Sequence, residues 1–118
     1  ALMTASLWSG SLDNLRVAVQ DRLHQPYRFP LIPGAEQVFY TAYSLGAYAV
    51  AISGAGPSIL AIIEGGNDAF VPQAAAALHE AGLTGWRVEV FGCDSRGATV
   101  EFGVPSPIES TQSEPEVN

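Results

Sequence analysis

Apolar residues recur at helical spacing along the first part of the chain. Steps of three or four residues place one apolar face on Leu2, Ala5, Trp8, Leu12, Leu15, Val19 and Leu23. A short polar interruption at residues 9–11 divides this face, and serine is a residue type that caps helices. Asp13 would lie in the first turn of the second helix, where its charge suits the helix dipole. The pattern therefore predicts two helices, the second running from Ser11 to about residue 22.

Two further helices are predicted later in the chain. The apolar positions of the third are Ala35, Val38, Phe39, Ala42 and Leu45, and those of the fourth are Val71, Ala75, Leu78 and Gly82. Gly46 can end the third helix, because glycine adopts the left-handed conformation that such ends require. The fourth helix contains a run of four alanines, residues 74–77, and is expected to pack closely against a sheet.

The segment 24–34 separates the second and third helices and contains Pro26, Pro30 and Pro33. Proline fixes its own φ and favours extended geometry in the residue before it. We therefore predict a stiff loop without regular structure, able to hold the side chain of Arg28 in one direction.

Four strands are predicted, over residues 47–53, 58–64, 86–91 and 98–102, from short apolar runs or alternation. Combined with the helices, they indicate an α+β domain, and the expected fold is a ferredoxin-like two-layer sandwich with an antiparallel sheet and helices on one face. The aromatic residues expected in its core are Trp8, Phe39, Trp86 and Phe91. We assign the domain to residues 1–103. The Pro- and Glu-rich residues 104–118 are predicted to form a disordered tail.

Composition narrows the classes of partner. The 118 residues are 47% hydrophobic, which suffices for the core of one domain. Twelve acidic residues against five arginines and no lysine give a net charge of −7, which argues against nucleic acid or an anionic membrane surface as partner. No apolar run approaches the roughly 20 residues of a membrane span. Cys93 is the single cysteine, so no internal disulfide can form, and a cytoplasmic location is expected.

The connection Ser53-Gly54-Ala55-Gly56-Pro57-Ser58, called the glycine loop below, joins the first two predicted strands. It is longer than a two-residue hairpin turn, and glycine allows backbone N–H groups to approach a ligand closely. Two interpretations stay open, a plain hairpin turn and an anion-contacting loop. A Walker loop is excluded by the missing Gly-Lys-Ser/Thr ending, and a dinucleotide fingerprint by the strand that follows.

Arg28 is the candidate binding residue outside this loop. A guanidinium can bind a carboxylate or phosphate through two parallel hydrogen bonds, although a solvated surface arginine is the alternative. His24 and His79 are isolated, Cys93 is expected at a strand end, and Asp94 is expected in a turn. No spacing resembles a zinc site, and no catalytic or metal residue is assigned.

Four segments of the chain, taken together, carry a family resemblance. They are Asp21-Arg22-Leu23-His24-Gln25-Pro26-Tyr27-Arg28, Leu31-Ile32-Pro33-Gly34, Ile52 with the glycine loop, and Asp94-Ser95-Arg96-Gly97-Ala98. In this combination the chain resembles, over residues 1–102, the C-terminal domain of the homoserine kinases. These enzymes belong to the GHMP kinase superfamily, which also includes galactokinase and mevalonate kinase.

The resemblance implies transfer of the γ-phosphoryl group of ATP to the side-chain hydroxyl of L-homoserine, with Mg²⁺, in threonine biosynthesis. Arg28 corresponds to the arginine that holds the amino-acid substrate. The glycine loop corresponds to the motif beside the phosphate site. The implied fold is a ferredoxin-like C-terminal domain packed against an N-terminal domain, with the site between them.

The chain departs from the family pattern in lacking the nucleotide loop and the N-terminal residues expected to bind Mg²⁺ and homoserine. Because phosphoryl transfer needs a nucleotide cradle, a metal and an oriented hydroxyl together, we expect the chain to be part of a longer enzyme and to be inactive alone. Another GHMP kinase and a non-catalytic ferredoxin-like module that binds an amino acid are the alternatives. The sequence leaves the oligomeric state open, a homodimer included.

Overall fold

A computed structural model describes residues 1–102, so the predicted tail at 104–118 lies outside the described residues. The elements in chain order are α1 (Leu2–Ser9), a 3-10 turn (Leu12–Asn14), α2 (Leu15–Ala18), α3 (Gln25–Arg28), a 3-10 turn (Phe29–Leu31), α4 (Ala35–Ser44), β1 (Ala49–Ile52), β2 (Ile59–Ile62) and α5 (Phe70–Glu80). The α+β class is confirmed.

The two strands form an antiparallel hairpin whose faces have different neighbours. Val50 lies opposite Ala61 in the register, and Ile52 lies opposite Ile59. The face that carries Val50 and Ala61 packs on the core formed with α4 and α5, whose buried members are Ala42, Ala47, Val50, Phe70 and Ala74. The predicted antiparallel pairing is therefore confirmed for this hairpin, and α4 and α5 cover one of its faces. Residues of α1 and α3 lie over the other face, so the helices are not confined to one side.

Helices α4 and α5 both end in the same hydrogen-bonded motif. After α4, the N–H of Gly46 donates to the Tyr43 carbonyl and that of Ala47 donates to the Ala42 carbonyl, with Gly46 at a φ of 92°. This pattern is a Schellman motif, which satisfies the last carbonyls of a helix. Gly82 has the same place after α5. The predicted C-terminal glycine of α4 is thus confirmed.

The buried face of α5 includes the predicted Leu78 but differs by one position in the first two turns. Phe70, Ala74 and Leu78 are buried, whereas Ala75 is exposed and Val71 is half-buried. The three buried residues are four positions apart and so lie on one side of the helix. The alanine run allowed either register, and the large ring of Phe70, which packs in the core, decides between them.

The second predicted helix is wrong in its extent. It ends at Ala18 rather than near residue 22, and its start is a 3-10 turn without a side-chain cap from Ser11. The physical reason is that the carboxylate of Asp21 accepts hydrogen bonds from the three N–H groups of residues 23–25. A short polar side chain of this kind competes with helix continuation.

The prediction that residues 24–34 lack regular structure is also wrong. One turn of α-helix, α3, and a 3-10 turn follow each other there. Pro26 and Pro30 occupy the first turns of these two elements. Proline is favoured at that position because the N–H groups of a first turn have no partner within the helix.

The third and fourth predicted strands are not formed within the described residues. Residues 86–91 and 98–102 have no ladder partner, so the sheet has two strands. Side chains still alternate at 86–89, where Trp86 and Val88 are half-buried and the residues between and after them are exposed. Trp8 and Phe91, which were expected in the core, are 92% and 82% exposed. Alternation sets the direction of side chains, but a strand also needs a neighbouring backbone.

Candidate functional site

A cavity of about 440 Å³ lies on the face of the hairpin opposite α4 and α5. Its floor is formed by Ala49 and Ala51 of β1 and by their cross-strand neighbours Ile62 and Leu60. Ala49 is buried and Ala51 is half-buried, so the β1 side of this floor carries two small side chains.

One wall of this cavity comes from the segment that links α2 to α3 and from α3 itself. Asp21, His24, Gln25 and Arg28 all line it. Gly54 and Ala55 of the glycine loop lie on its rim. An apolar floor with a few polar side chains converging above it is typical of a small-molecule site.

Arg28 contacts the glycine loop directly. Its Nη1 donates a hydrogen bond of 2.8 Å to the carbonyl oxygen of Ala55, across a separation of 27 residues in sequence. Among residues 1–102, no carboxylate lies within 4.0 Å of the Arg28 guanidinium. A guanidinium has five N–H donors, so several stay available for a ligand. The structure thus brings the two predicted parts of the site together at one cavity.

The glycine loop is closed by two hydrogen bonds of its own backbone. The N–H of Ser53 donates to the Ser58 carbonyl at 2.8 Å, and the N–H of Gly56 donates to the Ser53 carbonyl at 3.0 Å. The N–H groups of Gly54 and Ala55 have no acceptor among the described residues, and both residues are exposed. Two neighbouring free N–H groups of this kind can contact an anion.

The two glycines of the loop have different structural roles. Both have positive φ, 57° at Gly54 and 78° at Gly56. A Cβ on Gly56 would lie 2.8 Å from Cδ1 of Ile32 and 3.3 Å from Cγ2 of Ile52, whereas one on Gly54 would meet no heavy atom within 4 Å. Gly56 therefore packs against the domain. Gly54 belongs to the exposed part of the loop, together with Ala55, Pro57 and Ser58.

Asp21 is a site residue that the sequence analysis missed. Its Oδ1 accepts from the N–H of Leu23 at 2.7 Å, and its Oδ2 accepts from those of His24 and Gln25 at 3.1 and 3.2 Å. These bonds, that of Leu23 foremost, hold the pKa of the Asp21 carboxyl below its ordinary value of 3.8, against a desolvation effect that raises it. The carboxylate is thus engaged in shaping the chain before α3. Aspartate commonly accepts hydrogen bonds from backbone N–H groups a few residues further on, and this local preference could have identified it.

Gln25 and His24 were also not predicted as site residues. Gln25 uses its whole side-chain amide, with Nε2 donating to the Val19 carbonyl and Oε1 accepting from the Ile52 N–H. His24 lines the cavity and is exposed, whereas His79 lies exposed in the last turn of α5. No local pattern marks Gln25, because its two partners lie 6 and 27 positions away in the sequence.

The part of the chain that the structure describes lacks the features of two other classes of site. Residues 1–102 contain no group of three or more His, Cys, Asp or Glu side chains that could hold a metal ion. Within the same residues, no helix combines the length and apolarity needed to cross a membrane. Cys93 is free and exposed, and the strand whose end it was expected to mark is not formed.

Comparison with known proteins identifies the family. Residues 3–84 match the family model described as "GHMP kinases C terminal". The chain is 43% identical over 103 residues to the homoserine kinase of Clostridium beijerinckii, covering 87% of this chain and 34% of that protein. It is 40% identical to the homoserine kinase of Caldicellulosiruptor saccharolyticus, covering 90% of this chain and 34% of that protein. No solved structure matches the chain.

The matched region contains the whole cavity. Its lining residues run from Met3 to Ile62, and the family match runs from residue 3 to residue 84. The chain spans about a third of the length of the curated relatives it matches. The chain belongs to the family of GHMP kinase C-terminal domains.

Proposed function

We propose that this chain is the C-terminal part of a homoserine kinase, which uses ATP to convert L-homoserine to O-phospho-L-homoserine in threonine biosynthesis. The observation that carries the proposal is the contact between Arg28 and Ala55, which joins an arginine and an exposed glycine loop at one cavity. The names of the similar proteins supply the substrate.

In this proposal Arg28 binds the carboxylate of homoserine. One N–H of its guanidinium is fixed by the Ala55 carbonyl, which orients the planar group, and the remaining donors can pair with the substrate. The apolar floor at Ala51 and Leu60 accommodates the methylene groups of the amino acid. The acidic Asp21 does not compete for Arg28, because its oxygens accept backbone hydrogen bonds.

The glycine loop faces the phosphate side of the reaction. The free N–H groups of Gly54 and Ala55 are suited to the negative oxygens of ATP. In the reaction a bond forms between the γ-phosphorus and the homoserine oxygen, and the bond from that phosphorus to the bridging oxygen of ADP breaks. The proton of the homoserine hydroxyl is released to water. ADP and O-phospho-L-homoserine are the products.

The residues for Mg²⁺ are proposed to lie outside this chain. The described residues lack a cluster of metal-ligating side chains, so they do not fit a metal site by themselves. The similar enzymes are about three times as long as the matched segment. We therefore assign ATP and Mg²⁺ mainly to an N-terminal domain. A cytoplasmic location and a homodimer are also parts of the proposal.

A substrate panel on the full-length protein tests the function. The intact gene product is incubated with ATP, Mg²⁺ and one alcohol at a time: homoserine, threonine, mevalonate or galactose. ADP release is followed, and the product is identified by ³¹P NMR. The proposal requires homoserine to have by far the highest kcat/KM. A preference for another alcohol would assign a different GHMP kinase, and homoserine binding without ADP release would favour the non-catalytic module.

A further inference from the structure

Gln25 connects two elements that are distant in sequence. Its Nε2 donates to the Val19 carbonyl at 2.9 Å, just after α2, and its Oε1 accepts from the Ile52 N–H at 3.1 Å, at the last residue of β1. Ile52 immediately precedes the glycine loop. Both polar ends of the amide are thus engaged, and the first residue of α3 is attached to the strand that leads into the loop.

The last residue of the same helix is attached to the loop as well. Arg28 ends α3, and its guanidinium donates to the Ala55 carbonyl. A helix of four residues has little stability of its own, since helix nucleation is unfavourable and few bonds follow it. The direction of α3 therefore depends on what holds its two ends, and the Gln25 amide is the contact at the first end.

The Gln25 amide also accepts a hydrogen bond from the outer edge of β1. The N–H groups of Val50 and Ile52 point away from β2, and they donate to the Tyr43 hydroxyl and to Gln25 respectively. Gln25 lines the larger cavity and also a second cavity of about 360 Å³. Its side chain is held in place at both polar atoms.

We propose that Gln25 is a positioning residue for substrate binding: it holds α3 against β1 so that the Arg28 guanidinium keeps its place between the cavity and the glycine loop. The inference rests on the proposed function, in which Arg28 binds the amino-acid carboxylate. Gln25 does not itself touch the substrate. Its removal should affect the substrate that Arg28 binds and leave ATP binding unchanged.

Two substitutions in the full-length enzyme separate the two hydrogen bonds of Gln25. Gln25→Met keeps the length of the side chain but loses both bonds, whereas Gln25→Glu keeps an oxygen for the Ile52 N–H and loses the donor to Val19. We expect Gln25→Met, which loses two part-buried hydrogen bonds, to raise the KM for homoserine about tenfold, with kcat and the KM for ATP within about twofold. Gln25→Glu should recover only part of that loss, because its second carboxylate oxygen faces the Val19 carbonyl where the amide donor was. Gln73→Met, at an exposed position of α5, is the matched control.

A double-mutant cycle tests whether Gln25 acts through Arg28. In an Arg28→Ala background, Gln25→Met should have little further effect on the KM for homoserine. Equal effects of Gln25→Met in both backgrounds, or equal increases in the KM values for homoserine and ATP, would overturn the positioning role. Melting temperatures of all variants identify a general loss of folding, which would lower the apparent kcat and leave both KM values unchanged.

The experiment also distinguishes failure of this inference from failure of the proposed function. A wild-type enzyme that does not phosphorylate homoserine refutes the function before any variant is compared. The positioning role is then judged by NMR of the intact protein. The Arg28 guanidinium resonance should shift in Gln25→Met and stay in place in Gln73→Met, and an unchanged resonance in both would refute it.

Discussion

Gly54 and Gly56 have similar backbone conformations but different surroundings. Both lie in the left-handed region, at φ values of 57° and 78°. Only Gly56 would bring a Cβ against neighbouring side chains, those of Ile32 and Ile52. A substitution at Gly54 therefore adds only the cost of the backbone conformation, whereas one at Gly56 adds the cost of steric overlap as well.

Alanine substitutions at these two glycines should differ in their effect on stability. We expect Gly54→Ala to lower the free energy of unfolding by about 1 kcal/mol, the cost of a left-handed conformation for a residue with a Cβ. Gly56→Ala should cost about 1 to 3 kcal/mol more, because the added methyl overpacks the contact with Ile32. Urea unfolding of the intact protein measures both. Equal midpoints for the two variants would contradict the assigned packing role of Gly56.

Arg28 should be sensitive to the shape of its side chain as well as to its charge. In the full-length enzyme, Arg28→Ala should reduce kcat/KM for homoserine. The reduction should correspond to a loss of about 2 kcal/mol or more of transition-state stabilisation, as expected when a charge-assisted contact is lost. Arg28→Lys should recover only part of this, because an ammonium cannot bind a carboxylate through two parallel bonds while it also contacts Ala55.

The matched control for Arg28 is Arg87→Ala. Arg87 is an exposed arginine that pairs with Glu89 at the surface. Its replacement should leave the kinetics with homoserine unchanged, since an exposed ion pair contributes little. Unchanged homoserine kinetics in Arg28→Ala would refute the role of Arg28.

At the scale of elements, α3 depends on a carboxylate that precedes it. The Asp21 carboxylate accepts hydrogen bonds from three backbone N–H groups. These bonds fix the chain just before the helix begins, and they lower the pKa of the Asp21 carboxyl. Because the folded-state pKa is below the unfolded value, the stabilisation is fully present above the ordinary pKa of 3.8. It is lost as the pH falls through the lower folded-state pKa.

Asp21→Asn should therefore be less stable than the wild type at neutral pH, because an amide replaces one accepting oxygen with a donor. The difference in unfolding midpoint should be constant well above pH 3.8 and should shrink at lower pH, where the wild-type carboxyl is protonated too. Urea unfolding at a series of pH values measures it. Asp68→Asn, at an exposed turn position, is the control. A difference that persists unchanged at acid pH would contradict the assigned role of the carboxylate.

At the scale of the whole molecule, the described residues enclose the cavity only in part. Arg28, the floor and the glycine loop line it, and the described residues contain no group of three or more side chains that could hold a metal ion. We expect the 118-residue chain by itself to produce no ADP from ATP and homoserine, and to bind homoserine with a Kd weaker than about 1 mM.

Calorimetric titration of the chain with homoserine and with threonine checks this expectation. The full-length protein, titrated in the same buffer, is the positive control. Submillimolar binding by the 118-residue chain would contradict the expectation that its part of the site is incomplete. It would favour a module that binds an amino acid without chemistry.

Local patterns predicted those parts of the fold that depend on neighbouring residues. The bounds of α4, its terminal glycine and the hairpin around the glycine loop all follow from short-range signals. The resemblance likewise selected Arg28 and the glycine loop, and their roles remain predictions. The composition of the loop could not show which glycine is required for packing, because Ile32 lies 24 positions before Gly56.

The sequence by itself determined the α+β class, the family and the two segments of the candidate site, because helix periodicity, turn residues and motif spacing are local properties of the chain. Only the tertiary structure decided that residues 24–31 form two short helical turns, that residues 86–102 lack strand partners, and that Arg28 contacts Ala55. The short turns have local backbone hydrogen bonds but are also held by the Gln25 amide through Ile52, and the other two findings concern residues that are distant in sequence. The site is assembled by such contacts, so its geometry could not be predicted from local pattern.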